Sequence, residues 1–340
     1  MSRNHEVTTP QPLLDERGEL LEPGWSRSLL QRYDRKAIKA PKWRIKEWDY
    51  YLALNKDYAA AFTISDDGYI GLQSVSLLVF GEQPWEHTET VLNAFPLGRG
   101  KLPADSSAGV TEFRSKRLQL RFAVEDGTRH ITCRFERFWK DKPLECDLVL
   151  RQPEMDSLVI ATPWDKRHAF YYNQKINCMR ASGFVRFDGA EYRFDPKTDF
   201  GTLDWGRGVW TYDNPWHWCS GNADLDGNAF GFNLGYGFGN TAAATENVVF
   251  WNGRAHKLDD VCFHIPERYT DPWRITSSDG RFEADFLPVL DRAAKLDFKV
   301  LVSDQHQVFG RMTGRAVLDD RTAVPFRDLM CFAEKVHNRY

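Results

Sequence analysis

Between Leu203 and Trp218 the chain gathers an acid, a guanidinium, a histidine and four indoles. The run begins Leu203-Asp204-Trp205-Gly206-Arg207-Gly208-Val209-Trp210 and ends Trp216-His217-Trp218, and it holds four of the twelve tryptophans. Asp204 could move a proton, Arg207 could hold an anion, and the indole faces could stabilise a cation. Trp216 and Trp218 are two apart, so on a strand they share a face and His217 takes the other. Gly206 and Gly208 flank Arg207, which suggests a loop where backbone or ligand approaches closely.

Flanking segments extend this set. In Phe170-Tyr171-Tyr172-Asn173-Gln174-Lys175 an extended backbone puts Tyr171, Asn173 and Lys175 on one face. Further on, Phe230, Phe232, Leu234, Tyr236 and Phe238 share a face, and Gly231, Asn233, Gly235 and Gly237 share the other. Either a second sheet packs on that glycine face or it leaves room for a ligand. The candidate catalytic residues are Asp204, Lys175 and Arg207. The candidate ligand contacts are Tyr172, Trp205, Trp210, Trp216, His217, Trp218, Phe232, Asn233 and Glu246. Each also has a plainer reading. The indoles would pack with their N–H groups paired, Asp204 and Arg207 would form a structural ion pair, and Lys175 would snorkel. His217 would be a hydrogen-bonded strand residue and Glu246 an ordinary loop carboxylate.

Other chemistries lack their motifs. Gly206-Arg207-Gly208 is not G-x-G-x-x-G and opens no helix, so a dinucleotide reading fails. Asp224, Asp226 and Asn228 start like a calcium loop, but Ala229 stands where Gly is needed. There is no H-E-x-x-H, and His256 and His264 with Asp259 and Asp260 between them make a poor metal site. No G-x-S-x-G elbow occurs. The expectation is a site with no metal and no cofactor.

The elements that must position these residues are strands. Leu118, Leu120, Phe122 and Val124 alternate with Gln119, Arg121 and Ala123, and Ile131, Cys133 and Phe135 alternate with Thr132, Arg134 and Glu136, across an Asp126-Gly127 turn. Asp188-Gly189, Asp226-Gly227 and Asp279-Gly280 mark further hairpins, and Leu296, Phe298, Val300 and Val302 alternate again. The best helical candidate is the short segment Val289 to Lys295. The pattern predicts an all-β protein of two antiparallel barrels or sandwiches with few short helices. Residues 1–45, broken by Pro10, Pro12, Pro23 and Pro41, read as an extended lead-in draped over the body. Turn-rich polar segments near 150–168 suggest a β domain over 46–160 and a second over 161–340.

Composition bounds the partners. The chain has 340 residues, with 45 Lys and Arg against 48 Asp and Glu. A near-neutral charge argues against nucleic-acid binding, and no window approaches the roughly 18 apolar residues of a membrane span. The six cysteines are scattered, as free buried thiols would be. The N-terminal residues show no apolar signal-peptide core, so a cytoplasmic protein is expected.

Tyr171–Lys175, Asp204–Trp210, Trp216–Trp218, Arg44–Tyr51 and Phe309–Gly314, with the C-terminal Asn338-Arg339-Tyr340, resemble an uncharacterised bacterial family of lipocalin-like proteins. At greater distance the second half is similar to carotenoid 1,2-hydratases, tocopherol cyclases and lipocalin-like Diels–Alderases. That resemblance implies a calycin-type double β-barrel. In the hydratases an Asp-His pair followed by a Trp-x-Trp strand carries the acid; here Asp204 is followed by Trp205, and Trp216/Trp218 is the nearest match to the strand.

The expected function is binding of a small apolar or amphipathic molecule of isoprenoid, lipid or polyketide type. Burial would keep Asp204 protonated, as a general acid for hydration, cyclisation or isomerisation; a contact with Lys175 or Arg207 would hold it as an anion instead. A non-catalytic carrier is the alternative, with Arg207 and Lys175 anchoring an anionic head group. Carbohydrate binding is a third, without a glycosidase-type acid pair to support it.

Overall fold

A computed structural model describes residues 4–297 and 302–339. Two curled antiparallel sheets contain nearly all the regular structure, and the helical content of the described residues is two three-residue 3-10 turns, Arg35–Ala37 and Lys42–Arg44. The Asp-Gly turns behave as read. Asp126 and Gly127, Asp188 and Gly189, and Asp226 and Gly227 all have positive φ, the requirement of a tight two-residue hairpin turn.

The first sheet takes its strands from Gly24 to Val209. A meander over Ile45–Ala94 and another over Gly109–Arg151 are joined through two central strands, Phe170–Phe187 and Phe200–Val209. The second sheet is built from Asp213–Arg339. The strands thus change sheet between Val209 and Asp213. Phe170–Phe187 and Phe200–Val209 pair with each other and bridge the two meanders by pairing with Lys142–Arg151 and Ile45–Leu54 respectively.

The lead-in ties both sheets together. Gly24–Ser26 pairs with Leu158–Pro163, while His5 N donates to Ala243 O and Thr245 N donates to Asn4 Oδ1. Val289–Lys295 is not helical; it lies inside the strand Phe282–Asp297, paired along its length with Val302–Val317. Cross-strand pairing overrides the modest helix propensity of that segment. Of the alternating set Leu296, Phe298, Val300 and Val302, Phe298 and Val300 lie outside the described residues. The cysteines are free, and all but Cys262 are buried.

Three apolar clusters make the core. One fills the first sheet, one fills the second, and one lies between them. The strand Phe170–Phe187 is therefore buried on both faces along its first ten residues. It also carries a bulge between Ile176 and Met179, where Cys178 adopts φ 56°. There the Asn177 side-chain amide reaches across to Ser220 Oγ and Phe232 O, pinning the second sheet to the first. The glycine face of Asn228–Tyr236 meets this strand: a Cβ on Gly231 would stand 2.7 Å from Cys178 Sγ. Of the two readings of that face, tight sheet packing is the observed one.

Candidate functional site

A cavity of about 250 Å³ opens between the sheets, beside the middle cluster. Strand pairing sets its two walls. On the first sheet Lys175, Asp204, Tyr50, Thr63 and Ser74 are register partners in turn across five neighbouring strands. On the second sheet Arg292, Gln307, Glu334 and Trp218 form the corresponding row. The rings of Trp48, Tyr171, Trp210, Trp216 and Phe238 complete an aromatic lining. Trp210 sits at its centre, with ring centroids 5.2–5.9 Å from Trp48, Trp164, Tyr171 and Trp216.

The glycines of the central motif make room for these rings. A Cβ on Gly206 would lie 2.0 Å from the Trp48 ring. Because side chains alternate along a strand, Asp204, Gly206 and Gly208 face the cavity while Leu203, Trp205, Arg207 and Val209 enter the first sheet's own core.

That alternation splits the candidate residues. Lys175 Nζ lies 2.9 Å from Asp204 Oδ2, 3.7 Å from Glu246 Oε1 and 3.9 Å from the Trp218 ring centroid. Asn173 Nδ2 donates to Asp204 Oδ1 at 2.6 Å. Asp204 thus sits in a buried ion pair, with Lys175 on one carboxyl oxygen and Asn173 on the other. Tyr171 Oη donates to Glu246 Oε1 at 2.8 Å, and burial pushes the Glu246 carboxyl above its ordinary range. Trp218 Nε1 donates to Asn233 Oδ1 at 2.6 Å, and Asn233 Nδ2 donates to Glu246 O, so Asn233 braces the site from behind.

Arg207, Tyr172 and Trp205 lie away from the cavity. Arg207 is fully buried, 3.0 Å from Asp49 Oδ1, and donates to the carbonyls of Trp48, Gly206 and Pro103. Its guanidinium stacks 4.2 Å from Trp205, which packs in turn on Tyr172. Tyr172 Oη donates to Gln31 O. Phe232 packs on Phe282 and Phe326 inside the second sheet. His217 stacks on Tyr236 on the face opposite Trp216 and Trp218, where burial and then the charge of Lys335 lower its pKa to about 4.

The residue that reading by motif misses is Glu334. It is buried, lines the cavity, and accepts hydrogen bonds from Trp216 Nε1 at 2.9 Å and Gln307 Nε2 at 3.0 Å. Burial raises its pKa to about 7, against the opposing pull of the Trp216 N–H and the Arg292 and Lys175 charges. Its sequence signal is faint: one carboxylate in the apolar run Leu329-Met330-Cys331-Phe332-Ala333-Glu334. Trp48 and Tyr50 were visible only as part of the Arg44–Tyr51 resemblance. Among the described residues, no three His, Cys, Asp or Glu side chains are arranged to hold a metal ion.

The comparisons agree with this architecture. Residues 4–340 match the domain of unknown function DUF2804. The chain belongs to the DUF2804 family. No curated protein matches the sequence. Among solved structures, a candidate AttH from Nitrosomonas europaea is similar to this DUF2804 chain at a TM-score of 0.53 and 14% identity, covering 93% of this chain and 99% of that one. CghA with Sch210972 gives 0.51 and 13%, covering 99% and 97%. Kievitone hydratase from Nectria haematococca gives 0.50 and 11%, covering 86% and 88%. At these identities the likeness shows a shared fold. No helix among the described residues is long and apolar enough to cross a membrane.

Proposed function

We propose that this DUF2804 chain binds a small amphipathic molecule between its sheets and catalyses proton-initiated hydration, cyclisation or isomerisation of it. The observation that carries the reading is the pair of carboxyl groups on opposite walls of one aromatic cavity. Burial raises the Glu334 pKa to about 7, and Asp204 lies 2.9 Å from the Lys175 ammonium. A carboxyl group raised toward neutrality by burial is suited to donate a proton. Glu334 therefore takes the proton-donor role that the sequence pattern gives to Asp204. Asp204 and the faces of Trp210 and Trp218 would stabilise the cation formed, each ring contributing about 0.5–2 kcal/mol when desolvated. The neighbouring fold of kievitone hydratase supports the same class of reaction. The cavity is smaller than the roughly 300–1,000 Å³ of drug-sized sites, which favours a compact ligand.

The test uses solvent deuterium. Incubation of the protein with a panel of terpenoid and phenolic alkenes in D2O places deuterium on carbon if protonation begins the reaction. Mass spectrometry should find that label with the native chain and lose it with Glu334→Gln. A carrier would bind members of the panel and label none, and that result would overturn the catalytic reading.

A further inference from the structure

The polar wall of the cavity holds hydrogen-bonding groups that the fold itself leaves unused. Tyr50 Oη, Gln307 Oε1 and Trp210 Nε1 are buried and have no partner in hydrogen-bonding geometry among the described residues. All three residues line the same cavity and are more than nine-tenths buried. Buried polar atoms are nearly always paired, so three orphans in one cavity call for a reason. Tyr50 stands in the first-sheet row of the cavity wall and Gln307 in the facing row of the second sheet. The same Gln307 donates its N–H to Glu334.

The chemistry of the three atoms defines a complement. Tyr50 Oη is free to donate, Gln307 Oε1 can only accept, and Trp210 Nε1 can only donate. A hydroxyl group is the simple function that accepts from the first while donating to the second. A carbonyl, ether or second hydroxyl oxygen satisfies the third. We infer that the ligand is an oxygenated compound, with an alcohol oxygen seated between Tyr50 and Gln307 beside Glu334 and an acceptor oxygen directed at Trp210. A pure hydrocarbon would leave all three groups unpaired and would be selected against. This specificity rests on the reading of the cavity as a ligand site, but not on any reaction there. It also places the alcohol next to the carboxyl that holds a proton.

Matched probes separate the possibilities by isothermal titration calorimetry: tetralin, 1-tetralol and 4-hydroxy-1-tetralone share one aromatic frame and differ in oxygen functions. Native protein should bind 1-tetralol about tenfold or more tightly than tetralin, and the hydroxyketone more tightly still. Tyr50→Phe keeps the ring and removes the donor, so it should erase the tetralol advantage and leave tetralin unchanged. Trp210→Phe should erase only the extra gain of the hydroxyketone. Unchanged melting temperatures would show that both variants remain folded. Equal affinity for tetralin and 1-tetralol, or a Tyr50→Phe loss shared by both, would overturn the inference while the cavity remains a binding site. Failure of every probe to bind would overturn the cavity reading as well.

Discussion

Lys175 Nζ lies 2.9 Å from Asp204 Oδ2, at directly paired positions of two neighbouring strands, with Lys175 almost fully buried. One ammonium thus serves two acids, because Glu246 Oε1 is 3.7 Å away on the loop that leads into the strand Val248–Trp251. Removing the cation would strand a buried charge, which costs more than the pair itself contributes. Lys175→Met should lose about 3–5 kcal/mol in urea unfolding. Adding Asp204→Asn to that variant should recover part of the loss, since the stranded anion is then gone.

Glu334 should make stability fall as pH rises. Its folded pKa of about 7 lies above the ordinary carboxyl value of 4.5, so the folded state binds the proton more tightly than the unfolded chain. The contribution is therefore fully present below about pH 4.5 and is lost progressively up to about pH 7. The full span amounts to about 3 kcal/mol. Unfolding curves of native protein and Glu334→Gln across this range should differ in slope, with the variant flatter.

His217 should act with the opposite sign. Its folded pKa of about 4 is below the ordinary 6.5, so the unfolded chain binds the proton more tightly. Stability from this group is present above about pH 6.5 and is lost as pH falls toward 4. His217→Gln should reduce sensitivity to acid in that window. Because His217 faces Tyr236 and Phe263, the variant should leave probe binding in the cavity unchanged, as calorimetry would register.

Gly206 has no room for a methyl group. Its Cβ would fall 2.0 Å from the Trp48 indole, which forms part of the cavity wall. Gly206→Ala should lower stability by about 1–3 kcal/mol, the usual cost of overpacking. It should also displace Trp48 and weaken probe binding, and a variant that bound and melted like the native chain would contradict this packing.

Much of the site was legible in residue type and spacing, but only half of it by position. The stretch Asp204–Trp218 does supply the cavity with an acid and three indoles, and Lys175 does meet Asp204. The glycines beside Arg207, read as a loop approached by backbone or ligand, lie in the strand Phe200–Val209, and the group against Gly206 is the Trp48 side chain. What the motif reading mixed was parity. Trp205, Arg207 and Tyr172 are neighbours in sequence of cavity residues, yet a period of two turns them into the first sheet's core. Arg207 spends its charge on Asp49 and three carbonyls there.

The sequence by itself determined the all-β class, the Asp-Gly hairpins and the concentration of aromatic rings, because turn chemistry and alternation are local properties of the chain. Tertiary structure alone decided which face of each strand meets the other sheet, and so whether a group lines a cavity or fills a core. It also decided the electrostatics of the site. Asp204 meets a lysine 29 positions earlier, and burial against Trp216, between strands more than a hundred residues apart in the chain, raises the Glu334 pKa. Burial and charge pairing are sums over the whole fold, and no local pattern of residues contains them.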